Sequence, residues 1–343
     1  MCGVTGLSVG LMGNLVGGSG GNPTSAELLG QELEANGVSV VYGGRGLGRI
    51  KRSLSLLTTA VTRSMSCMVI DVYSGRGTYV ALIMGMIARL RNIPVFLVLH
   101  GGALPQFSQK RRRLCERVLS LATTVIAPSR YLQTWAKSLG YHAQIIPNPI
   151  HLQGYTFQHR IMDTPRLYWV RRYHEVYNPQ LAIRVLAGLK PRFPDADLRM
   201  AGPDSGERGA CERLAQSLGV ASSIEFLPRI TKEEISALAH DRNIFLNTTH
   251  VDNTPVTMLE AAALGLPIVS TNVGGIPFIF TDHESALLVQ SDNVDAMVQA
   301  ITQYIENPAL AEQCANNAYA MAQRCDWAKV IEQWNRVLSN AAA

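Results

Sequence analysis

No apolar run in this chain of 343 residues comes near the ~18 residues that a membrane span needs, the longest being residues 79–88. An integral membrane protein is therefore not expected. Cysteine is scarce and scattered: Cys2, Cys67, Cys115, Cys211, Cys314 and Cys325 contain no C-x-x-C pair and no zinc-ligand spacing. They read as free thiols, which points to a reducing cytoplasm. No basic stretch precedes the first apolar run, so no secretory leader is expected. A Walker A lysine is missing. So is a Gly-x-Gly-x-x-Gly followed by an acid about 20 residues on, which removes the P-loop and dinucleotide readings. Internal repeats are absent, and three terminal alanines are the only low-complexity stretch.

What the chain does have is apolar substance and unevenly spread charge. With 47% apolar residues it can fill the cores of about two domains of ordinary size. Residues 1–150 hold 15 Lys/Arg against 5 Asp/Glu, a net +10, whereas residues 151–343 hold 16 against 21, a net −5. Lys110, Arg111, Arg112 and Arg113, with Arg117 nearby, concentrate the positive charge; Arg45, Arg49, Lys51 and Arg52 form a second group. Such clusters can hold a peripheral protein on anionic lipid at ~1 kcal/mol per charge near the surface. The competing reading is a solvated helix face. Nucleic acid is not expected, since no binding motif and no interleaved aromatics accompany the charge.

Short apolar runs alternate with longer amphipathic ones throughout, the pattern of a parallel α/β protein. In the first half, strands are expected at 7–16, 38–42, 67–72, 94–99, 124–127 and 143–146, with helices at 24–36, 79–91, 109–121 and 129–139. Pro147-Asn-Pro149 breaks the chain, and a polar linker with Gly154 and Asp163 follows. The second half gives strands at 166–170, 197–201, 224–227, 244–247 and 268–271. Its helices are expected at 179–190, 209–218, 232–239, 293–307, 310–323 and 327–339. Both halves read as Rossmann-like, doubly wound sheets.

The most informative segment is Asp252-Asn-Thr-Pro-Val-Thr-Met-Leu-Glu260, which runs into Ala261-Ala-Ala-Leu-Gly-Leu-Pro267 and then Gly274-Gly275. Thr254 reads as an N-cap and Pro255 as the first helical residue, because proline has no amide hydrogen to leave unpaired. The helix mouth offers backbone N–H groups from Val256 onward and about half a positive charge, a ready site for phosphate oxygens. Asp252 lies just before it. Glu260, about a turn and a half inside, can accept from a hydroxyl-bearing ligand whose phosphates sit at the mouth. A diphosphate flanked by hydroxyl-accepting carboxylates is what a nucleotide-sugar presents.

The segment resembles the acidic-x7-Glu motif of the family 4 retaining glycosyltransferases, with Asp252 where the family usually has glutamate. The resemblance covers nearly the whole chain and is densest from 166 to 290. It implies the GT-B fold, two Rossmann-like domains facing a cleft: residues 1–150 on the acceptor side, joined by the C-terminal helix 327–343, and residues 164–326 on the donor side. It also implies a metal-independent enzyme without a cofactor, which moves a sugar from a nucleotide-diphosphate sugar to a hydroxyl acceptor. Trp169-Val-Arg-Arg-Tyr-His-Glu-Val-Tyr-Asn-Pro179 stands at the family's Gly-Arg-x5-Lys segment, so Arg172 matches the arginine that grips the diphosphate, and Tyr177 stands where lysine is expected. By the same resemblance Asp252, His100 and Arg172 form the catalytic set. Gly17, Gly18, Ser19, Arg172, Tyr177, Thr254, Pro255, Val256 and Glu260 then bind donor, with Glu260 on the ribose.

The glycine-rich Gly17-Gly-Ser-Gly-Gly21 loop permits close backbone approach of a ligand. His100-Gly-Gly102 sits at a strand end, where open α/β sheets hold ligands. The basic first half and the Lys110 to Arg113 patch imply a cytoplasmic protein able to sit on the inner membrane face and act on a lipid-linked acceptor in cell-envelope glycan synthesis. Three other readings compete. Gly17-Gly-Ser-Gly-Gly21 also fits a Gly-x-Ser-x-Gly elbow with Asp252 and His283 downstream, the order of an α/β-hydrolase with Ser19 as nucleophile; against it, the loop follows the first strand rather than several. A non-catalytic nucleotide-sugar-binding relic and a nucleotide-sugar epimerase on the same fold are the others.

Overall fold

The computed structural model describes residues 6–13, 15, 24–44 and 49–339. They form two compact units; the chain passes from the first to the second between Pro149 and Ile150, and returns between Asp326 and Trp327.

The first unit runs β1 (Ser8–Met12), α1 (Ser25–Ala35), β2 (Ser39–Gly43), α2 (Arg49–Thr62), β3 (Cys67–Val72), α3 (Arg76–Leu90), β4 (Val95–Leu99), α4 (Leu104–Leu119), β5 (Thr124–Ala127), α5 (Arg130–Ser138) and β6 (Ala143–Ile145). Its strands pair in parallel in the order β2-β1-β3-β4-β5-β6. The second unit runs β7 (Arg166–Val170), α6 (Pro179–Leu189), β8 (Asp197–Ala201), α7 (Arg208–Ser217), β9 (Ile224–Leu227), α8 (Lys232–Leu238), β10 (Ile244–Asn247), α9 (Val256–Ala263), β11 (Ile268–Thr271), β12 (Leu287–Val289), α10 (Val294–Glu306) and α11 (Pro308–Arg324). Its parallel order is β12-β11-β10-β7-β8-β9. The last helix, α12 (Trp327–Ser339), belongs to the first unit.

The central strands are apolar on both faces, as parallel strands covered by helices must be. Alternate residues serve opposite cores: in β3, Met68, Ile70 and Val72 point to one layer while Cys67 and Val69 point to the other. In β7, Leu167 and Trp169 divide from Tyr168 and Val170 in the same way. On the second layer of the first unit, α12 supplies Trp327, Val330, Ile331, Trp334 and Leu338, packed with Leu29 and Leu33 of α1 against the sheet.

Two elements escape the sequence pattern. Helix α2 buries Leu56 and Ala60 but exposes Leu54, Leu57 and Val61, so its apolar residues do not mark one face. Strand β12 is three residues long, too short to display a period. The segment 150–163, read from sequence as a linker, is fixed to the second unit. Arg160 donates from Nη1 to the carbonyls of Ala239, His240 and Arg242, and from Nη2 to that of Leu264 at 2.6 Å.

Candidate functional site

In the second sheet β7 lies between β8 and β10, so the chain leaves β7 toward one side and reaches β10 on the other. Ligands in open parallel sheets sit outside the carboxyl ends of strands at such a switch point. The segments that follow β7 and β10 carry Arg171 and Asp252. Arg171 Nη2 lies 2.7 Å from Asp252 Oδ2, with the two side chains 11% and 16% exposed. Its guanidinium carbon also stands 5.1 Å from the Tyr177 ring centroid, and its Nε donates to Asn247 Oδ1 at 3.4 Å. Arg172 is turned away and exposed, donating to Ser205 Oγ at 3.2 Å. Thus Arg171, not Arg172, stands beside the motif carboxylate. Both residues lie beyond the end of β7, where the chain bends at Arg171 and the two side chains part. Tyr177, where a lysine was expected, has that same guanidinium over its ring.

The polar end of β10 holds this arrangement. Thr248 Oγ1 accepts from Trp169 Nε1 at 2.9 Å and donates to the Tyr177 carbonyl at 2.7 Å. The His250 amide and Thr249 Oγ1 both donate to the Val176 carbonyl. The turn that presents Tyr177 is therefore bonded to the strand that leads into the motif.

Helix α9 begins at Val256, with Pro255 as its cap at φ −70° and ψ 105°. That is one residue later than Thr254 as cap and Pro255 as first helical residue. The Met258 amide closes the first turn onto the Pro255 carbonyl, and Thr254 is buried. In the same turn Thr257 Oγ1 is buried with no hydrogen-bond partner among the described residues. The double glycine has a steric purpose. Gly274 sits at φ 57°, where a Cβ would fall 2.0 Å from the Asp252 carbonyl oxygen, and a Cβ at Gly275 would fall 2.0 Å from that of Asn253. The Gly275 amide donates to the Asp252 carbonyl at 3.0 Å. Only glycines let this loop lie directly on the motif backbone.

Glu260 is 5% exposed and accepts from Tyr155 Oη at 2.9 Å. Burial pushes its carboxyl above the ordinary range, opposed by the Tyr155 hydrogen bond and by the positive charges of Lys232 and Arg171. Tyr155 was not foreseen; it lies in the segment taken for a linker, where sequence gave no sign of contact with the motif.

In the first unit, His100 follows β4, and its Nε2 lies 3.1 Å from Asp71 Oδ1, the two side chains 9% and 3% exposed. Its ring stacks on Tyr73 at 5.6 Å. Asp71 was likewise unforeseen, being one acid within an apolar strand. Lys110, Arg111, Arg112 and Arg113 are exposed on α4, where Arg112 Nε pairs with Glu116 at 2.7 Å. Gly17, Gly18 and Ser19 lie outside the described residues, as does Arg45.

Comparison with known proteins finds relatives for both halves of the chain. Residues 155–321 match the family profile described as glycosyl transferases group 1, and residues 30–153 match that of glycosyltransferase family 4. The chain is 27% identical over 186 residues to a D-inositol 3-phosphate glycosyltransferase of Corynebacterium diphtheriae, a match covering 53% of this chain and 44% of that protein. It thus spans less than half the length of that curated relative. Among solved structures, sucrose-phosphate synthase from Thermosynechococcus elongatus superposes with a TM-score of 0.81 at 15% identity, over 97% of this chain and 98% of that one. Anabaena HepE in complex with UDP-glucose superposes with a TM-score of 0.74 at 20% identity, over 97% and 100%. With one profile matching each half and the same fold as these two solved structures, the chain is similar to the group 1 and family 4 glycosyltransferases over most of its length.

Proposed function

We propose that the chain transfers a sugar from a nucleotide-diphosphate sugar to a hydroxyl acceptor with retention of configuration. The observation that carries this reading is the Arg171–Asp252 pair at the mouth of α9, with Glu260 buried a turn and a half behind it. The α9 N-terminus and the Thr257 hydroxyl take diphosphate oxygens, Arg171 neutralises them, and Glu260 accepts from the ribose. On donor arrival Arg171 exchanges one anion for another, which frees Asp252 to orient sugar hydroxyls. The acceptor hydroxyl then attacks from the face that the nucleotide leaves, and a phosphate oxygen of the leaving group takes the proton. Stabilising the departing diphosphate is the main task, an electrostatic contribution usually the largest in such sites. The UDP-glucose complex of HepE, a protein of the same fold, supports a nucleotide-sugar as donor.

A role in glycan or glycolipid synthesis at an anionic membrane surface is part of the same reading. Helix α3 exposes Tyr79, Ile83, Met86 and Leu90 at helical spacing, and it packs beside α4, which carries Lys110 to Arg113. Apolar and basic groups side by side are the composition of an interfacial surface. No helix among the described residues is long and apolar enough to cross a membrane.

The test is turnover of a panel of nucleotide-sugars with and without hydroxyl acceptors. A glycosylated acceptor that keeps the donor's anomeric configuration by NMR supports the reading. An isomerised donor would instead indicate an epimerase, and binding without turnover a relic.

A further inference from the structure

Within the second unit, residues 152–160 form a strap along helix α9. Ser236 Oγ donates to the Gly154 carbonyl at 3.1 Å, and the Gln158 amide donates to the Leu264 carbonyl at 3.4 Å. Leu152 and Tyr155 pack against the core that contains Met258, Leu259 and Ala263 of α9. Further along, the Phe157 ring lies 4.7 Å from that of Tyr319 in α11. Gly265 makes this path possible. It sits at φ 73°, and a Cβ there would fall 2.3 Å from the Gln158 carbonyl oxygen. The glycine that ends the motif helix is thus needed by the strap as well as by the turn.

The strap reaches the motif through Tyr155, whose Oη donates to Glu260 Oε1 at 2.9 Å. That is the one hydrogen bond the carboxyl group receives among the described residues, so Oε2 keeps its lone pairs for a ligand. Burial works against the charge that such a ligand needs. A carboxyl group so deeply placed favours its proton; of the groups that favour the charged form the phenol is the strongest, ahead of Lys232 at the start of α8 and Arg171 beyond β7. Tyr168 of β7 and Glu233 of α8 also lie within electrostatic reach of the pair. Burial and the neighbouring Glu260 hold the Tyr155 phenol well above its ordinary range, so it stays a donor throughout neutral pH.

We propose that Tyr155 is a positioning residue for the donor site: its hydroxyl holds Oε1 of the Glu260 carboxylate and leaves Oε2 to accept from a hydroxyl of the nucleotide. The role rests on the reading of Glu260 as the nucleotide's acceptor; the strap and its hydrogen bond do not. Without the phenol the carboxyl keeps its proton to higher pH, and a neutral carboxyl loses the charge assistance of the ligand's hydrogen bond.

The experiment is calorimetric titration of the full chain between pH 4 and 8 with UDP-glucose, GDP-glucose and ADP-glucose, whose diphosphates carry no proton that titrates near neutrality. The parent's affinity for the one that binds should fall toward acid as Glu260 gains its proton. Tyr155→Phe keeps the ring and removes only the hydroxyl; in it the fall should begin higher by about half a pH unit or more. Glu260→Gln should bind weakly throughout, without that fall. Carbon-13 NMR of labelled glutamate carboxyls, with Glu260 identified by its absence in Glu260→Gln, should show the same upward move of its midpoint in Tyr155→Phe. An unmoved midpoint, or a Tyr155→Phe variant that tracks the parent or is weaker by the same factor at every pH, overturns the proposal and leaves the transferase reading standing. A Glu260→Gln variant that binds as the parent does removes the nucleotide role of Glu260 and of Tyr155 together. A parent that binds none of the three nucleotide-sugars removes the transferase reading and this role with it.

Discussion

At the scale of single residues, two side chains decide the proposed donor site. Glu260 is buried and its carboxyl is raised by that burial, so the folded state holds the proton more tightly than the unfolded chain. Its favourable contribution is complete below glutamate's ordinary value of 4.5 and is lost as pH rises through the higher folded value. At neutral pH the charge therefore opposes folding. Glu260→Gln should raise the melting temperature at pH 7, with the gain fading in acid, while nucleoside diphosphate binding weakens by about 1–3 kcal/mol. Paired melting curves and titrations at pH 4 and 7 check both; a pH-independent difference would contradict the burial argument. Arg171 is the second. Its pairing with Asp252 and the outward turn of Arg172 predict that Arg171→Ala loses tenfold or more in donor affinity, whereas Arg172→Ala loses little. Equal losses in the two variants, measured by calorimetry with a nucleotide-sugar that binds the parent, would count against the site as drawn.

At the scale of elements, α12 closes the first unit. Trp334 is 5% exposed and lies in the layer formed by α1, α12 and the sheet. Deleting so large a buried ring leaves a cavity that the sheet cannot fill, so Trp334→Ala should cost about 3–5 kcal/mol in denaturant unfolding. The same denaturation monitored by nucleotide binding should show the second unit's ligand site surviving at denaturant concentrations where the first unit has unfolded. A variant as stable as the parent would mean that α12 is dispensable to that core. At the same scale, Thr24 and Glu27 form the capping box that begins α1.

At the scale of the whole molecule, charge is divided as +10 over residues 1–150 and −5 over residues 151–343. Lys110 to Arg113 are exposed on α4 next to the apolar stripe of α3, although Arg112 is partly neutralised by Glu116. Binding to vesicles should rise with anionic lipid and fall with salt, as the Debye length shortens from about 10 Å at 0.1 M. Replacing the four basic residues together by glutamine should release the protein and spare activity on a soluble acceptor. Sedimentation indifferent to lipid charge and to these residues would leave a soluble acceptor as the better reading.

The alternation of apolar runs made the α/β architecture legible in the sequence, with most strands within a residue or two of their observed bounds, because buried parallel strands are chemically distinct from the helices that cover them. The acidic-x7-Glu spacing was legible for the same reason: it is local, carried on one helix and the turn before it. What only the tertiary structure decided are contacts between residues far apart in the chain. Arg171 meets Asp252 because β7 and β10 become neighbours, Tyr155 meets Glu260 because the supposed linker folds onto the second unit, and His100 meets Asp71 because β4 pairs with β3. Periodicity reports which face a residue occupies; which strand becomes its neighbour is settled by packing the whole sheet.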